Sequence, residues 1–296
     1  MLIFMTGASG FVGRAVLDGV LSKGHDVLAL AHSDKSKAAL EAIGVRTIQG
    51  ALSDVGVLEK TAAGAEAIIH TGFDHDFTRF RANCEQDQRA IRALARGFAG
   101  KDGAFVVTSA IGVLPRGGVA DEAALPVAAD ANPRALTEET VRALRDEGVH
   151  IDIVRLAPSV HGAGDPNFVA TLVRIARQLG ASAFIGKGDN RWPAVHRTDA
   201  ARLFAACLET RSGLPALHAV AESGIRFEEI ARAIGDGLGL PTVSIASEEA
   251  STHFGGFVHF AAMDVAASAE KTKTALSWHP EGRGLVQDIQ SGIYFA

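Results

Sequence analysis

Through residue 157 the chain alternates short apolar runs with stretches in which apolar residues recur every three or four positions. The runs Leu2–Thr6, Asp26–Ala31, Arg46–Gln49, Ala67–His70, Ala104–Thr108 and Ile151–Arg155 predict strands. Between them, Phe11–Leu21, Lys35–Ala42, Val55–Ala62, Asn83–Phe98 and Arg134–Glu147 carry helical spacing. Strands rich in Val and Ile and separated by helices form right-handed βαβ units, so the expected fold class is α/β, with a doubly wound parallel sheet covered on both faces. Gly24, Gly44 and Gly148 follow helices closely and act as stop signals.

After Arg155 the rhythm changes. Pro158, the run His161-Gly-Ala-Gly-Asp165 and residues Gly186–Asn190 mark loops. A helix is expected at Thr198–Leu208, a strand at Ala216–Val220, a helix at Phe227–Leu238, an apolar loop around His253–Phe260, and helices near Ala266–Leu276 and Leu285–Tyr294. The expected division is discontinuous. Residues 1–157 with 195–220 form the larger domain, and 158–194 with 221–296 form a smaller, mostly C-terminal substrate-binding cap.

Composition narrows the function. Hydrophobic residues at 47% and charged residues at 21% are those of a soluble globular chain. A net charge of −5, with basic residues scattered, excludes an electrostatic grip on nucleic acid or an anionic membrane. Cys84 and Cys207 are too few for a disulfide framework and show no metal-ligand spacing, which fits a reducing compartment. The apolar start Met1–Met5 is too short for a signal peptide, and no apolar run reaches the roughly twenty residues of a membrane span. A cytoplasmic location is therefore expected. One count bears directly on mechanism: fifteen Phe stand against a single Tyr, Tyr294 near the end of the sequence. A tyrosine acid in mid-chain is excluded.

The strongest motif is Thr6-Gly7-Ala8-Ser9-Gly10-Phe11-Val12-Gly13, which follows the first strand and opens the first helix. Glycines there allow a tight turn, let backbone approach a pyrophosphate and permit close helix–strand packing, while the helix N-terminus offers free N–H donors. The sheet is thus expected to be Rossmann-type, with a dinucleotide held by Gly7, Ser9, Gly10, Phe11, Val12 and Gly13. The second strand ends in Ala31-His32-Ser33-Asp34-Lys35-Ser36-Lys37. An acid at the selecting position would bond a ribose hydroxyl and choose NAD; a basic residue would accept a 2′-phosphate. His32 and Ser33 hold that position and Lys37 lies a turn further on, so NADP is expected over NAD. Asp34 is expected to cap the next helix.

Taken together, these residues resemble the extended and atypical short-chain dehydrogenase/reductases, the family that includes NAD(P)-dependent sugar-nucleotide epimerases and dehydratases. Besides the glycine turn, the resemblance rests on Gly50-Ala-Leu-Ser-Asp54, Ile68-Ile-His-Thr-Gly72, Val107-Thr-Ser109, Arg155-Leu-Ala-Pro158-Ser-Val160-His-Gly162, Trp192-Pro-Ala-Val-His196-Arg-Thr-Asp199 and Leu276-Ser-Trp278-His-Pro280. It implies cofactor contacts from Leu52, Thr71, Gly72, Phe73, Thr108, Pro158 and Val160, with the loop after Arg155 over the nicotinamide. It also implies a homodimer through the Asn83–Phe98 and Arg134–Glu147 helices. The family's Tyr-xxx-Lys pattern is not matched: Arg134 and Glu138 stand at those positions, Asp87 at that of the helix asparagine, and Ala51 at that of an adenine-binding aspartate. The serine position falls on Ser109, or on Ala110.

Hydride transfer to a carbonyl needs a donor beside the oxygen. Ser109, Arg134 and His161 are the candidates: Arg134 with fixed N–H donors, or as an ordinary helix arginine, and His161 as an acid–base group in the nicotinamide loop. His196 is expected to bond within its own loop. The cluster His70, Asp74, His75 and Asp76 has metal-binding residue types, but His70 belongs to a parallel strand beside the expected ribose, so no metal is expected. Phe73, Phe77, Phe80, Phe168, Phe184 and Trp192 could line an apolar pocket or simply fill the core. The expected function is NADP-dependent reduction of a small apolar or aromatic carbonyl, or a related C=X group, with a small-molecule substrate and neither nucleic acid nor membrane as partner. A non-catalytic NADP-binding sensor and a nucleotide-sugar epimerase or dehydratase are the alternatives.

Overall fold

Of the predicted strands, the inner ones assemble into one layer because they are apolar on both faces, while the more polar Arg46–Gln49 forms an edge. In the computed structural model, which describes residues 1–295, these are β1 (Leu2–Thr6), β2 (Asp26–Ala31), β3 (Arg46–Gln49), β4 (Ala67–His70) and β5 (Phe105–Ala110). A two-residue strand, β6 (Val119–Ala120), lies apart, and β7 (Asp152–Leu156) returns to the sheet. Ala296, the last residue of the expected cap, lies outside the described residues. The helices between the strands are α1 (Phe11–Ser22), α2 (Asp34–Glu41), α3 (Val55–Gly64), α4 (Phe80–Gly97) and α5 (Leu136–Asp146). Helix α5 starts two residues after Arg134, because Asn132 and Pro133 open a 3₁₀ turn in which the Asn132 side chain accepts from the Arg134 N–H.

Successive residues of each strand feed two separate cores. Ile3, Met5, Ile69, Val106 and Val154 face Val16, Leu17 and Val20 of α1. Phe4, Ile68, Phe105, Val107 and Ile153 face α3, α4 and α5 through Leu58, Leu94 and Val141.

Past β7 the chain forms β8 (Ser159–His161), α6 (Phe168–Leu179), β9 (Ser182–Ile185), β10 (Arg191–His196), α7 (Arg197–Glu209) and β11 (Leu217–Ala219). Then come β12 (Glu222–Arg226), α8 (Phe227–Leu238), β13 (Thr242–Ile245), α9 (Ala250–Phe254), α10 (Val258–Ala261), β14 (Ala266–Ala267), α11 (Glu270–Leu276) and α12 (Leu285–Gln290). Strand β11 joins the large sheet, whose order is β11-β7-β5-β4-β1-β2-β3 with every pairing parallel, and α7 packs on α1. Strands β12, β10 and β8 make a second small sheet, β13 pairs with β9, and β14 with β6.

Several of these later elements differ from the expected pattern. The apolar loop at 253–260 is a chain of short helical turns, and the first residues of the expected 266–276 helix pair as β14 with β6. Helix α12 ends at Gln290 rather than Tyr294 because Gly292 turns the backbone to φ +86°. Strand β10 is masked in the sequence by Pro193, which the sheet tolerates where the register with β12 shifts between Trp192 and Ala194. No helix among the described residues is long and apolar enough to cross a membrane.

A buried ion pair joins α5 to the sheet. Glu138 accepts from Arg155 Nε at 2.8 Å and from Nη2 at 2.7 Å, and Ser109 Oγ donates to the same carboxylate at 2.7 Å. His218 completes the cluster. Its Nδ1 donates to the Ser268 carbonyl at 2.7 Å, which leaves Nε2 to accept from Arg155 Nη1 at 3.1 Å. Burial, with the Arg155 charge beside it, pushes His218 from 6.5 down to about 4 against the pull of the Ser268 bond. The folded value lies below the unfolded one, so this group's contribution to stability is complete above pH 6.5 and is lost as the pH falls toward about 4. Chemical denaturation at pH 7 and pH 4.5 should show His218→Gln losing up to about 3 kcal/mol less than the native chain over that interval. Identical pH slopes would contradict this.

Candidate active site

Strand order reverses at β1, which lies between β2 and β4, and the crevice beyond that reversal is where a doubly wound sheet binds its ligand. Thr6 and Gly7 leave β1 there, beside Thr71 and Gly72 leaving β4. Gly7 takes φ +75°, and a Cβ on it would lie 2.5 Å from the Gly72 nitrogen. A Cβ on Gly13 would lie 2.0 Å from the Gly7 oxygen, so only glycine lets α1 approach the turn this closely. Gly10 occupies the N-cap of α1 and has no side chain to cover the first N–H groups. Ser9 and Gly10 are exposed, and Phe11 and Val12 half-buried. Thr71 Oγ1 donates to the Thr6 carbonyl at 2.8 Å, and a Cβ on Gly72 would come within 3.2 Å of Leu52. This turn, where Gly7 and Gly13 leave no room for a Cβ, opens at the positive end of a helix and fits a dinucleotide pyrophosphate.

At the end of β2, His32 is exposed. Ser33, not Asp34, caps α2: its Oγ accepts from the Ser36 N–H at 3.2 Å, and the Ser36 hydroxyl reciprocates toward Ser33. Asp34 is the first helical residue, exposed where its charge suits the helix dipole, and Lys37 is half-buried one turn on.

A buried polar chain runs from the turn into the cleft. The Gly72 N–H donates to Thr6 Oγ1 at 3.1 Å, and Thr6 Oγ1 lies 2.7 Å from His70 Nδ1. His70 Nε2 lies 2.9 Å from Asp87 Oδ1. With Asp87 as a carboxylate, the consistent direction has Nε2–H donating to Asp87 and Nδ1 accepting from Thr6. The second Asp87 oxygen accepts from Thr137 Oγ1 at 2.6 Å and from Arg134 Nη1 at 2.6 Å. Burial alone would raise the Asp87 carboxyl, but the Arg134 charge and the bonds from His70 and Thr137 hold it well below the usual carboxylate range. Arg134 also donates from Nη1 to Thr137 Oγ1 and from Nη2 to the Thr108 carbonyl at 2.8 Å, and its guanidinium lies 4.2 Å over the Phe73 ring. Three of its five N–H donors are engaged this way.

A glycine turn of this kind and an intact β1–β4 crevice are matched by comparison with known families: the NAD dependent epimerase/dehydratase model covers residues 3–220. The chain belongs to that family. It is 41% identical over its whole length to an uncharacterized protein of Schizosaccharomyces pombe, all of which is covered. It is 31% identical to a 2-alkyl-3-oxoalkanoate reductase of Stenotrophomonas maltophilia, over 68% of this chain and 63% of that one. The solved dTDP-glucose 4,6-dehydratase of Streptomyces venezuelae with NAD bound superposes with a TM-score of 0.76 at 19% identity, over 99% and 96% of the two chains. Membership makes the protein an NAD(P)-binding, oxidoreductase-type enzyme.

Within this epimerase/dehydratase-family site, the structure brings Arg134, Phe73, Thr108 and the glycine turn together and leaves two expected catalytic groups out. Ser109 is buried and its hydroxyl is taken by Glu138, because consecutive strand residues point to opposite faces and only Thr108 and Ala110 share the face of the cleft. His161 is fully buried in β8, its Nδ1 2.7 Å from Asp288, and burial pushes the imidazole below its ordinary value in spite of that carboxylate. It is therefore neutral near pH 7 and closed to a substrate. Val160 is likewise a core residue, paired with Val195, so the segment expected to cover the nicotinamide as a loop is a strand of the small sheet; Pro158 before it stays half-buried. His196 accepts from the Thr198 N–H at 3.3 Å and caps α7. Tyr294 donates to Asp165 at 2.8 Å, and burial with that carboxylate raises its phenol. The residues missed by sequence reasoning are His70 and Thr137. The three-residue spacing of Arg134 and Thr137 in the expected Arg134–Glu147 helix was the signal available for Thr137, since such positions share a helix face.

Proposed function

We propose that the enzyme uses NADP to reduce a small apolar or aromatic carbonyl, with Arg134 holding the carbonyl oxygen. The observation that carries this is the Arg134 guanidinium, fixed by Asp87, Thr137 and the Thr108 carbonyl and stacked on Phe73 directly after the Thr71–Gly72 turn, with two N–H groups unengaged. The cleft beside it is aromatic. Phe77 meets Phe260 at 5.3 Å between ring centroids, and Phe260 meets Phe168 at 4.5 Å, so a lip of the large sheet touches the cap through rings rather than charges. A diphosphate sugar would want several convergent cations, which argues for an apolar substrate. The similarity to a protein named 2-alkyl-3-oxoalkanoate reductase supports carbonyl reduction.

Residues 7–13 of the glycine turn would hold the pyrophosphate of the dinucleotide, whose reduced nicotinamide would supply the hydride. The fixed Arg134 guanidinium would stabilise negative charge growing on the carbonyl oxygen without reorganising. A guanidinium serves as a fixed hydrogen-bond donor and not as a general acid, so the proton that completes the alcohol comes from solvent. Asp87 fixes the guanidinium plane, and the His70–Thr6 link ties it to the nucleotide turn.

The choice of NADP is supported by His32, exposed at the selecting position with no acid there, and by Lys37 one turn on. His32→Asp should weaken NADPH binding by about tenfold more than NADH binding, because the new carboxylate repels the 2′-phosphate. Equal losses would contradict the preference. The reaction is tested by following NADPH oxidation against aryl and alkyl ketones, aldehydes and 2-alkyl-3-oxo acids, with nucleotide sugars alongside. Turnover confined to the apolar carbonyls is expected. Tight NADPH binding with no turnover on any of them would overturn the reading in favour of a sensor.

A further inference from the structure

Arg197 opens α7, and its guanidinium lies 5.1 Å from the centroid of the Phe11 ring, on the first residue of α1. The side chain reaches there past Gly162. A Cβ on Gly162, whose φ is +138°, would meet Arg197 Cγ at 3.3 Å and Cδ at 3.4 Å. The half-buried guanidinium thus bridges the cap-side segment after Pro158 and the nucleotide turn. Its neighbours in sequence and space are neutralised: Arg202 pairs with Asp199 and Glu281, and Arg14 with Asp18 at 2.9 Å. Arg197 has no carboxylate partner among the described residues. An unpaired cation beside the uncapped, positive end of α1 is mutually repulsive with it, and an anion between the two converts both into attractions. Near the glycine turn, the anion of matching chemistry is a pyrophosphate, which a guanidinium binds through paired N–H donors.

We propose that Arg197 grips the pyrophosphate of the bound dinucleotide from the cap side, opposite the α1 N-terminus, while stacked on Phe11. This rests on NAD(P) binding alone, and neither on carbonyl reduction nor on the choice of NADP. Because the pyrophosphate is common to both cofactors, Arg197 adds affinity without selectivity.

The test is equilibrium binding, read from nicotinamide fluorescence and independent of turnover. Arg197→Ala should weaken NADPH and NADH by the same factor, about tenfold, and flatten the salt dependence of both. Arg197→Lys, which keeps the charge but loses the planar fork, should fall between. Binding of 2′-AMP, which has no pyrophosphate, should be unchanged. Native affinity for both dinucleotides in Arg197→Ala would overturn the proposal, as would an equal loss for 2′-AMP, which would mark general damage. If the NADP preference itself is wrong, the native protein favours NADH while the Arg197 factor persists, so the two failures are distinguishable.

Discussion

The pairing of Asp87 with Arg134 is the constraint on which the site depends. The two side chains are 1% and 11% exposed, and each charge taken out of water costs several kcal/mol unless the geometry compensates. Here it does: the carboxylate accepts from His70, Thr137 and Arg134, and the guanidinium reaches the Thr108 carbonyl and the Phe73 ring as well. Breaking such a pair by removing one partner costs about 3–5 kcal/mol, because the other charge is left buried alone. Four elements meet in it, β4 through His70, α4 through Asp87, β5 through Thr108 and α5 through Thr137. The same bonds that hold these elements in register therefore also aim the guanidinium.

A second buried pair explains why the other expected catalytic groups are spent. Helix α5 presents Thr137 to Asp87 and Glu138 to Arg155. Glu138, at the position the family resemblance gives to lysine, draws the Ser109 hydroxyl and the Arg155 guanidinium into the sheet's interior. His161 is consumed in the same way by Asp288. The cleft is left with a guanidinium, which can stabilise an oxyanion through fixed N–H donors but does not serve as a general acid.

The large sheet was legible because its inner strands are apolar on both faces and alternate with amphipathic helices, so that local pattern and tertiary burial agree over most of the stretch from Leu2 to Leu156. The glycine turn was equally plain, since Gly7 and Gly13 are required by contacts shorter than any side chain allows. The later elements were less so. Strands of three to six residues such as β8 and β10 owe their form to pairing with distant segments, and Pro193 hides one of them. In the site, Arg134 was singled out by the family resemblance, but its burial was not visible: the polar residues of α4 and α5 read alike until packing makes Asp87 face Arg134. Ser109 illustrates the limit from the other side, because one residue of strand register decides whether a hydroxyl faces the cleft or the core.

The central claim is that Arg134, held by Asp87, stabilises the developing alkoxide. It is tested most directly in Arg134→Gln, where the amide can still reach Asp87 but carries no charge, by measuring NADPH affinity and the single-turnover rate of carbonyl reduction in the same preparation. The account predicts nearly native NADPH binding and a hydride-transfer rate lower by about two orders of magnitude. A native rate in that variant would contradict it.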